Sequence, residues 1–173
     1  MVEAKELSRL CHRVAQLRLP RWNELPDLEL YMDQVLSLIE RYLEGYPGRK
    51  GLTAAMVNNY VKLGVMPPPV KKRYTRLHLA YLLAICVLKA SLPIDSIKRM
   101  VSEAVRPGGE GEVYDSFCEH FEQSVREAAE AALVQIDADG PAIVSLYHTA
   151  MRAQAEQALA LALYEAAFGP NEG

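Results

Sequence analysis

Three observations predict an all-α fold for this 173-residue chain. Apolar residues recur at spacings of three and four over long stretches, the period of a helix with one buried face. The period-two alternation of a half-buried strand never persists beyond a few residues. Gly and Pro are gathered at a few points, where they punctuate helices and form no low-complexity tract. Half of the residues are hydrophobic, enough for one sizeable core or for a small module with an appendage.

The elements follow in order. Residues 2–17 place Leu7, Leu10, Cys11, Val14 and Leu17 on one stripe that ends before Pro20. An irregular run, 18–27, then links to a helix over 28–43, with Leu28, Tyr31, Met32, Val35, Leu38, Ile39 and Tyr42 along one side. Gly45, Pro47 and Gly48 stop it. Thr53 is a good N-cap, and Leu52 and Val57 are placed as a hydrophobic staple. The helix it opens, 53–63, ends at Gly64 in a left-handed C-terminal position, with Val65 packing back. Residues 65–74 pass through Pro67, Pro68 and Pro69 into Lys71, Lys72 and Arg73, which forbids helix and permits a small two-stranded flap or an extended loop. Thr75 caps a mostly buried helix over 77–89, and Pro93 opens another over 94–105. Beyond the turn Pro107–Gly109 the chain becomes acidic and alanine-rich. A stripe from Val113 to Ile136, a break at 137–141 and a helix over 142–168 predict a long helical hairpin. Its broad apolar faces predict homodimerisation through 112–168, with packing on the amino-terminal helices of the same chain as the other way to cover them. The expected divisions are 1–27, an amino-terminal helix and linker; 28–106, a basic module; and 107–173, an acidic hairpin for oligomerisation or effector binding.

The charge is partitioned. Between Gly45 and Pro93 lie eight of the nineteen Lys and Arg and none of the twenty-two Asp and Glu, leaving the remainder net negative by eleven. A cationic segment on an acidic body is the electrostatic footprint of a nucleic-acid-reading module. Projection of the helix after Thr53 puts Met56, Val57, Tyr60 and Val61 on one side and Ala55, Asn58, Asn59 and Lys62 on a contiguous arc. Asn can contact adenine bidentately in the major groove, Ala can approach a thymine methyl, and Lys can reach guanine or phosphate. Two Asn and a Lys also make an ordinary solvated face. The flanking cations set this one apart: Arg49 and Lys50 precede the helix, and Lys71, Lys72 and Arg73 follow it. Arg76 falls in the first turn of the next helix, where a cation opposes the dipole and wants an anion.

Other classes find little support. The most apolar stretch, 77–92, is interrupted by His78 and Lys89 and falls short of the ~20 residues a membrane span needs. The start of the chain shows no continuous apolar run of a signal peptide, so a cytoplasmic protein is expected. Cys11, Cys86 and Cys118 have no metal or redox spacing, and no cofactor or metal is expected. Neither a nucleophile with its base nor paired carboxylates occur at useful spacing, and the glycines at 108, 109 and 111 lack the Lys-Ser/Thr of a phosphate loop, so no enzyme is expected.

The run "LTAAMVNNYVKLGVM…KKRYTRLHLAYLLAICVLKASLPIDSIKRMV" resembles the winged-helix part of MerR-type transcription regulators over roughly Thr53 to Val101. Tyr60, Gly64 and Val65 match the end of the recognition helix, Arg73 and Tyr74 the end of the wing, and Leu82, Ile85, Leu88, Ile94, Ile97 and Lys98 the helices beyond. More closely, "MVNNYVK" with "KKRYTR.HLAYLLAI" is similar to an uncharacterised bacterial family known only as a domain of unknown function of the DUF1836 type. The resemblance implies a winged helix-turn-helix that binds double-stranded DNA as a dimer, with helix 53–63 in the major groove and a wing, 67–74, on the backbone. It implies that Tyr60, Arg73 and Lys72 lie at the backbone, with Asn58 and Asn59 reading bases, while Tyr74 belongs to the wider DNA-binding surface. Thr53, Ala55, Lys62, Lys71, Arg76, Arg49 and Lys50 complete the expected surface. MerR proteins usually carry Arg-Tyr where this chain has Asn58 and Asn59, so contacts made by that pair do not transfer. The other expectation is a helical adaptor that holds an acidic protein partner on the same basic surface.

Overall fold

The computed structural model describes residues 4–48, 50–137 and 142–170. Among the described residues there are seven α-helices, α1 (Ala4–Ala15), α2 (Met32–Tyr42), α3 (Ala54–Lys62), α4 (Arg76–Leu88), α5 (Ile94–Ala104), α6 (Glu110–Asp137) and α7 (Ala142–Phe168), with one 3-10 turn at Trp22–Glu24. Among the described residues there is no strand, only two isolated antiparallel bridges, Leu30 with Tyr74 and Val70 with Arg73. The flap expected around 65–74 is therefore a single tight turn. Among the described residues no helix is long and apolar enough to cross a membrane.

The chain divides into two compact units, Leu19–Cys118 and Met1–Arg18 with Glu119–Pro170. In the first, α4 is the central element. Its sequence, RLHLAYLLAICVL, is apolar on nearly every side, and Leu79, Leu82, Leu83 and Ile85 are fully buried. α2 packs on α3 and α4, and α5 packs on α4. Val35 and Ile39, Val57 and Tyr60, and Ser96 and Ile97 are the buried side chains that these three helices contribute. Each fully buried Leu or Ile contributes about 1.5–3 kcal/mol, and truncating one such as Leu82 to Ala costs about 2–5 kcal/mol.

Residues 18–27, expected as a linker, contribute two side chains to this core. Leu19 and Leu25 are 1% exposed. The Trp22 indole lies against the backbone of α6, where a β-carbon placed on Gly111 would come within 3.0 Å of it. The Trp22 amide donates to Asp115 Oδ1 at 2.6 Å, and Tyr114 and Cys118 are buried. The first turns of α6 thus complete the unit.

α2 starts later than the periodicity predicts. Leu30 exchanges backbone hydrogen bonds with Tyr74, which holds the approach to α2 extended, and the Tyr31 amide is capped by Gln34 Oε1 at 2.9 Å. Leu28 and Tyr31, placed on the core stripe by the helical period, are instead exposed.

Candidate nucleic-acid interface

Both ends of α3 are fixed by local chemistry. Thr53 Oγ1 accepts the Met56 amide at 3.3 Å. At the other end Gly64 takes a left-handed φ of +68°, the Val65 amide donates to Tyr60 O and the Gly64 amide to Val61 O, which is the Schellman pairing. Lys98 Nζ donates to Leu63 O at 2.8 Å, a cation on the negative end of the helix. Held this way, α3 buries Val57 and Tyr60 and exposes Ala55, Asn58, Asn59 and Lys62. Lys50, ahead of the helix, is exposed as well. Tyr60, expected at a phosphate backbone, is a core residue at 7% exposure, and burial pushes its hydroxyl pKa up. Arg49 lies outside the described residues.

The second basic element is a tight turn. The Arg73 amide donates to Val70 O at 2.8 Å, and the two residues between them, Lys71 and Lys72, have φ of +50° and +61°. Two consecutive positive φ values define a type I′ turn, which Asn-Gly fills without strain. With side chains that carry a Cβ each position costs about 1 kcal/mol or more. Both lysines are exposed, and among the described residues neither carries an ion pair.

The bridge between Leu30 and Tyr74 anchors this turn to the residues ahead of α2 and buries Tyr74, which was expected on the DNA-binding surface. One rung along, Arg73 Cζ sits 3.8 Å from the centre of the Tyr31 ring. A guanidinium flat on an exposed aromatic face gains about 0.5–1 kcal/mol and keeps its N–H edge for another acceptor. Tyr31 went unrecognised in the sequence because its partner lies across a non-local bridge. Arg76, which wants an anion, finds one in its own chain: Nε donates to Leu25 O at 3.1 Å and a terminal nitrogen lies 3.7 Å from Asp27 Oδ2. Its guanidinium ties α4 to the segment 19–27.

Beneath the turn His78 is buried, its ring edge-on to Tyr74. Nδ1 lies 3.0 Å from the Thr75 amide, which can only donate, so the neutral imidazole carries its proton on Nε2. Nε2 is buried without a hydrogen-bond partner. Desolvation pushes the His78 pKa below its ordinary 6.5, while the Pro68 and Pro67 carbonyls oppose the shift from beyond hydrogen-bond geometry. Protonation would also turn Nδ1 into a donor facing a donor. Between the folded and unfolded pKa values the unfolded chain binds the extra proton, so stability is full above about pH 6.5 and falls as pH drops below it. Urea titrations at pH 7.5 and 5.5 should show this loss, and His78→Gln should flatten it; an unchanged pH slope in the variant would place the titration elsewhere.

Of the expected site residues, the structure exposes Lys50, Thr53, Ala55, Asn58, Asn59, Lys62, Lys71 and Lys72, half-buries Arg73 on Tyr31, engages Arg76 internally and buries Tyr60 and Tyr74. What links the α3 face to the Lys-Lys turn along the chain is the short segment 63–70, which is held by the buried Val65 and Met66. The architecture is that of a helical domain with an exposed amide-rich helix face and a cationic turn. A family model described as a domain of unknown function, DUF1836, matches residues 20–120, and the chain belongs to that family. The match begins and ends within a few residues of the Leu19–Cys118 unit. No curated protein and no solved structure matches the chain.

Proposed function

We propose that this protein binds double-stranded DNA as a bacterial transcription regulator, using a MerR-like winged-helix arrangement within residues 28–106. In this reading α3 enters the major groove, Asn58 and Asn59 read base edges, and the turn at 67–74 lies on the neighbouring phosphates. The observation that carries the reading is the Lys71–Lys72 turn. Two adjacent lysines occupy backbone positions that favour Asn and Gly, and they do so in a segment without a carboxylate. Strain kept at an exposed pair of cations points to a use for them beyond folding. Regulation by a homodimer formed through 112–168 belongs to the same proposal.

The test is a fluorescence titration against random duplex DNA at several salt concentrations. Lys50, Lys62, Lys71, Lys72 and Arg73 supply five phosphate contacts, for which log K should fall against log salt with a slope of about −4.5. Absence of binding by the folded protein at low salt would remove the proposal and favour an adaptor with an acidic protein partner.

Two variants separate its parts. Replacing Lys71 and Lys72 by Asn and Gly should relieve the turn and raise stability by about 1–2 kcal/mol while weakening DNA binding, as read by thermal unfolding and the same titration. A stabilised variant with native affinity would show the lysines to be idle. Asn58→Ala or Asn59→Ala should weaken binding to a selected sequence by about 1–3 kcal/mol and leave random DNA almost unaffected. Equal losses on both would count against base reading.

A further inference from the structure

Tyr31 has no part in the core. It is 49% exposed at the entrance to α2, and the capping contact there uses its backbone amide, so neither burial nor capping calls for its ring. What the ring touches is Arg73. The paired backbone hydrogen bonds of Leu30 and Tyr74 set Tyr31 and Arg73 side by side across the bridge, with the guanidinium carbon 3.8 Å over the ring centre. That is van der Waals contact, so the guanidinium stacks on the ring and its N–H groups point outward in their own plane.

Those donors have no acceptor in the chain. Among the described residues no hydrogen bond or ion pair engages the Arg73 guanidinium. Arg76, at the start of α4, differs: Leu25 O and Asp27 draw it into the fold. Arg73 is ordered on a ring instead, beside the exposed Lys71 and Lys72 and in a segment without a carboxylate. The acceptor that suits a planar fork next to two ammonium groups is a phosphate, whose oxygens take two parallel N–H bonds. A long side chain ordered before contact loses less freedom on making it.

We propose that Tyr31 is a positioning residue, whose ring holds Arg73 with its N–H edge ready for one phosphate of the bound duplex. The proposal rests on the DNA-binding reading above and adds to it a residue from outside the basic segment.

Titration of the full chain with random duplex DNA over a range of salt concentrations tests it. Tyr31→Leu is expected to keep native circular dichroism and to bind about fivefold more weakly at 0.1 M salt, most of the roughly eightfold that Arg73→Ala should cost. Its salt slope should move from about −4.5 towards about −3.6, although the variant removes no charge. Tyr31→Phe, which keeps the ring face, should bind within about twofold of the native protein. In an Arg73→Ala background, Tyr31→Leu should change binding by less than about twofold, because the group it positions is gone. A native chain that does not bind would overturn the DNA reading itself. Native binding with Tyr31→Leu unchanged in affinity and slope would leave that reading standing and overturn the positioning role. So would an equal loss from Tyr31→Leu with and without Arg73, which would mean that the ring acts independently of the guanidinium.

Discussion

Replacing Lys71, Lys72 and Arg73 together by Ala is expected to weaken binding to random duplex DNA by about 500-fold at 0.1 M salt, and to reduce the salt slope from about −4.5 to about −1.8. Each phosphate contact contributes about 0.9 to the slope, hence about 0.9 in log K for the tenfold dilution below 1 M, where counterion release ceases to drive binding. Three contacts give about 2.7 log units. The fold should survive the change. Lys71 and Lys72 are exposed, and Ala at their positive φ values is strained no more than Lys. Removing Arg73 from the Tyr31 ring forfeits about 0.5–1 kcal/mol. A variant with native thermal stability and native slope would show that the cationic turn is not a DNA surface, and the electrostatic reading would have to move to Lys50 and Lys62.

Whether a feature was legible in the sequence depended on how far apart its partners lie along the chain. The caps of α3 were legible because Thr53 with Met56, Gly64 with Val61 and Val65 with Tyr60 meet within one or two turns. The helical projection also placed Tyr60 on the Val57 side, where it is found; the family resemblance drew it to the surface. Arg76 was expected to meet an anion on a partner, and its contacts Asp27 and Leu25 O come instead from a distant part of its own chain. The same distance hid the start of α2. Periodicity extends the helix back to Leu28, whereas the Leu30–Tyr74 bridge ends it at Tyr31 and turns that ring towards Arg73. Residues 18–27 read as a linker because Pro20 and Pro26 break the period, and nothing local reveals that Trp22 will lie on Gly111.

The second large effect concerns where the module ends. A chain comprising residues 19–120 is expected to unfold cooperatively, and one comprising 19–106, cut where composition changes, is expected to lose most of its stability. The shorter chain lacks Tyr114 and Cys118, which are 5% and 0% exposed, and Asp115, which accepts the Trp22 amide. Losing a buried aromatic costs about 3–5 kcal/mol, and losing a hydrogen bond to a charged acceptor about 1.5–3 kcal/mol. Together these approach the 5–15 kcal/mol that typically holds a whole domain. Urea unfolding followed by circular dichroism checks the comparison: equal midpoints would mean that the first turns of α6 add nothing to the core. The distinction also decides how the carboxyl-terminal part can be tested. Truncation at 106 would confuse lost binding with lost folding, whereas a chain ending at 120 keeps the Leu19–Cys118 unit and removes α7. A shallower salt slope with weaker binding in that chain would then report the loss of a second DNA-binding copy, and stronger binding would report release from repulsion by the acidic hairpin.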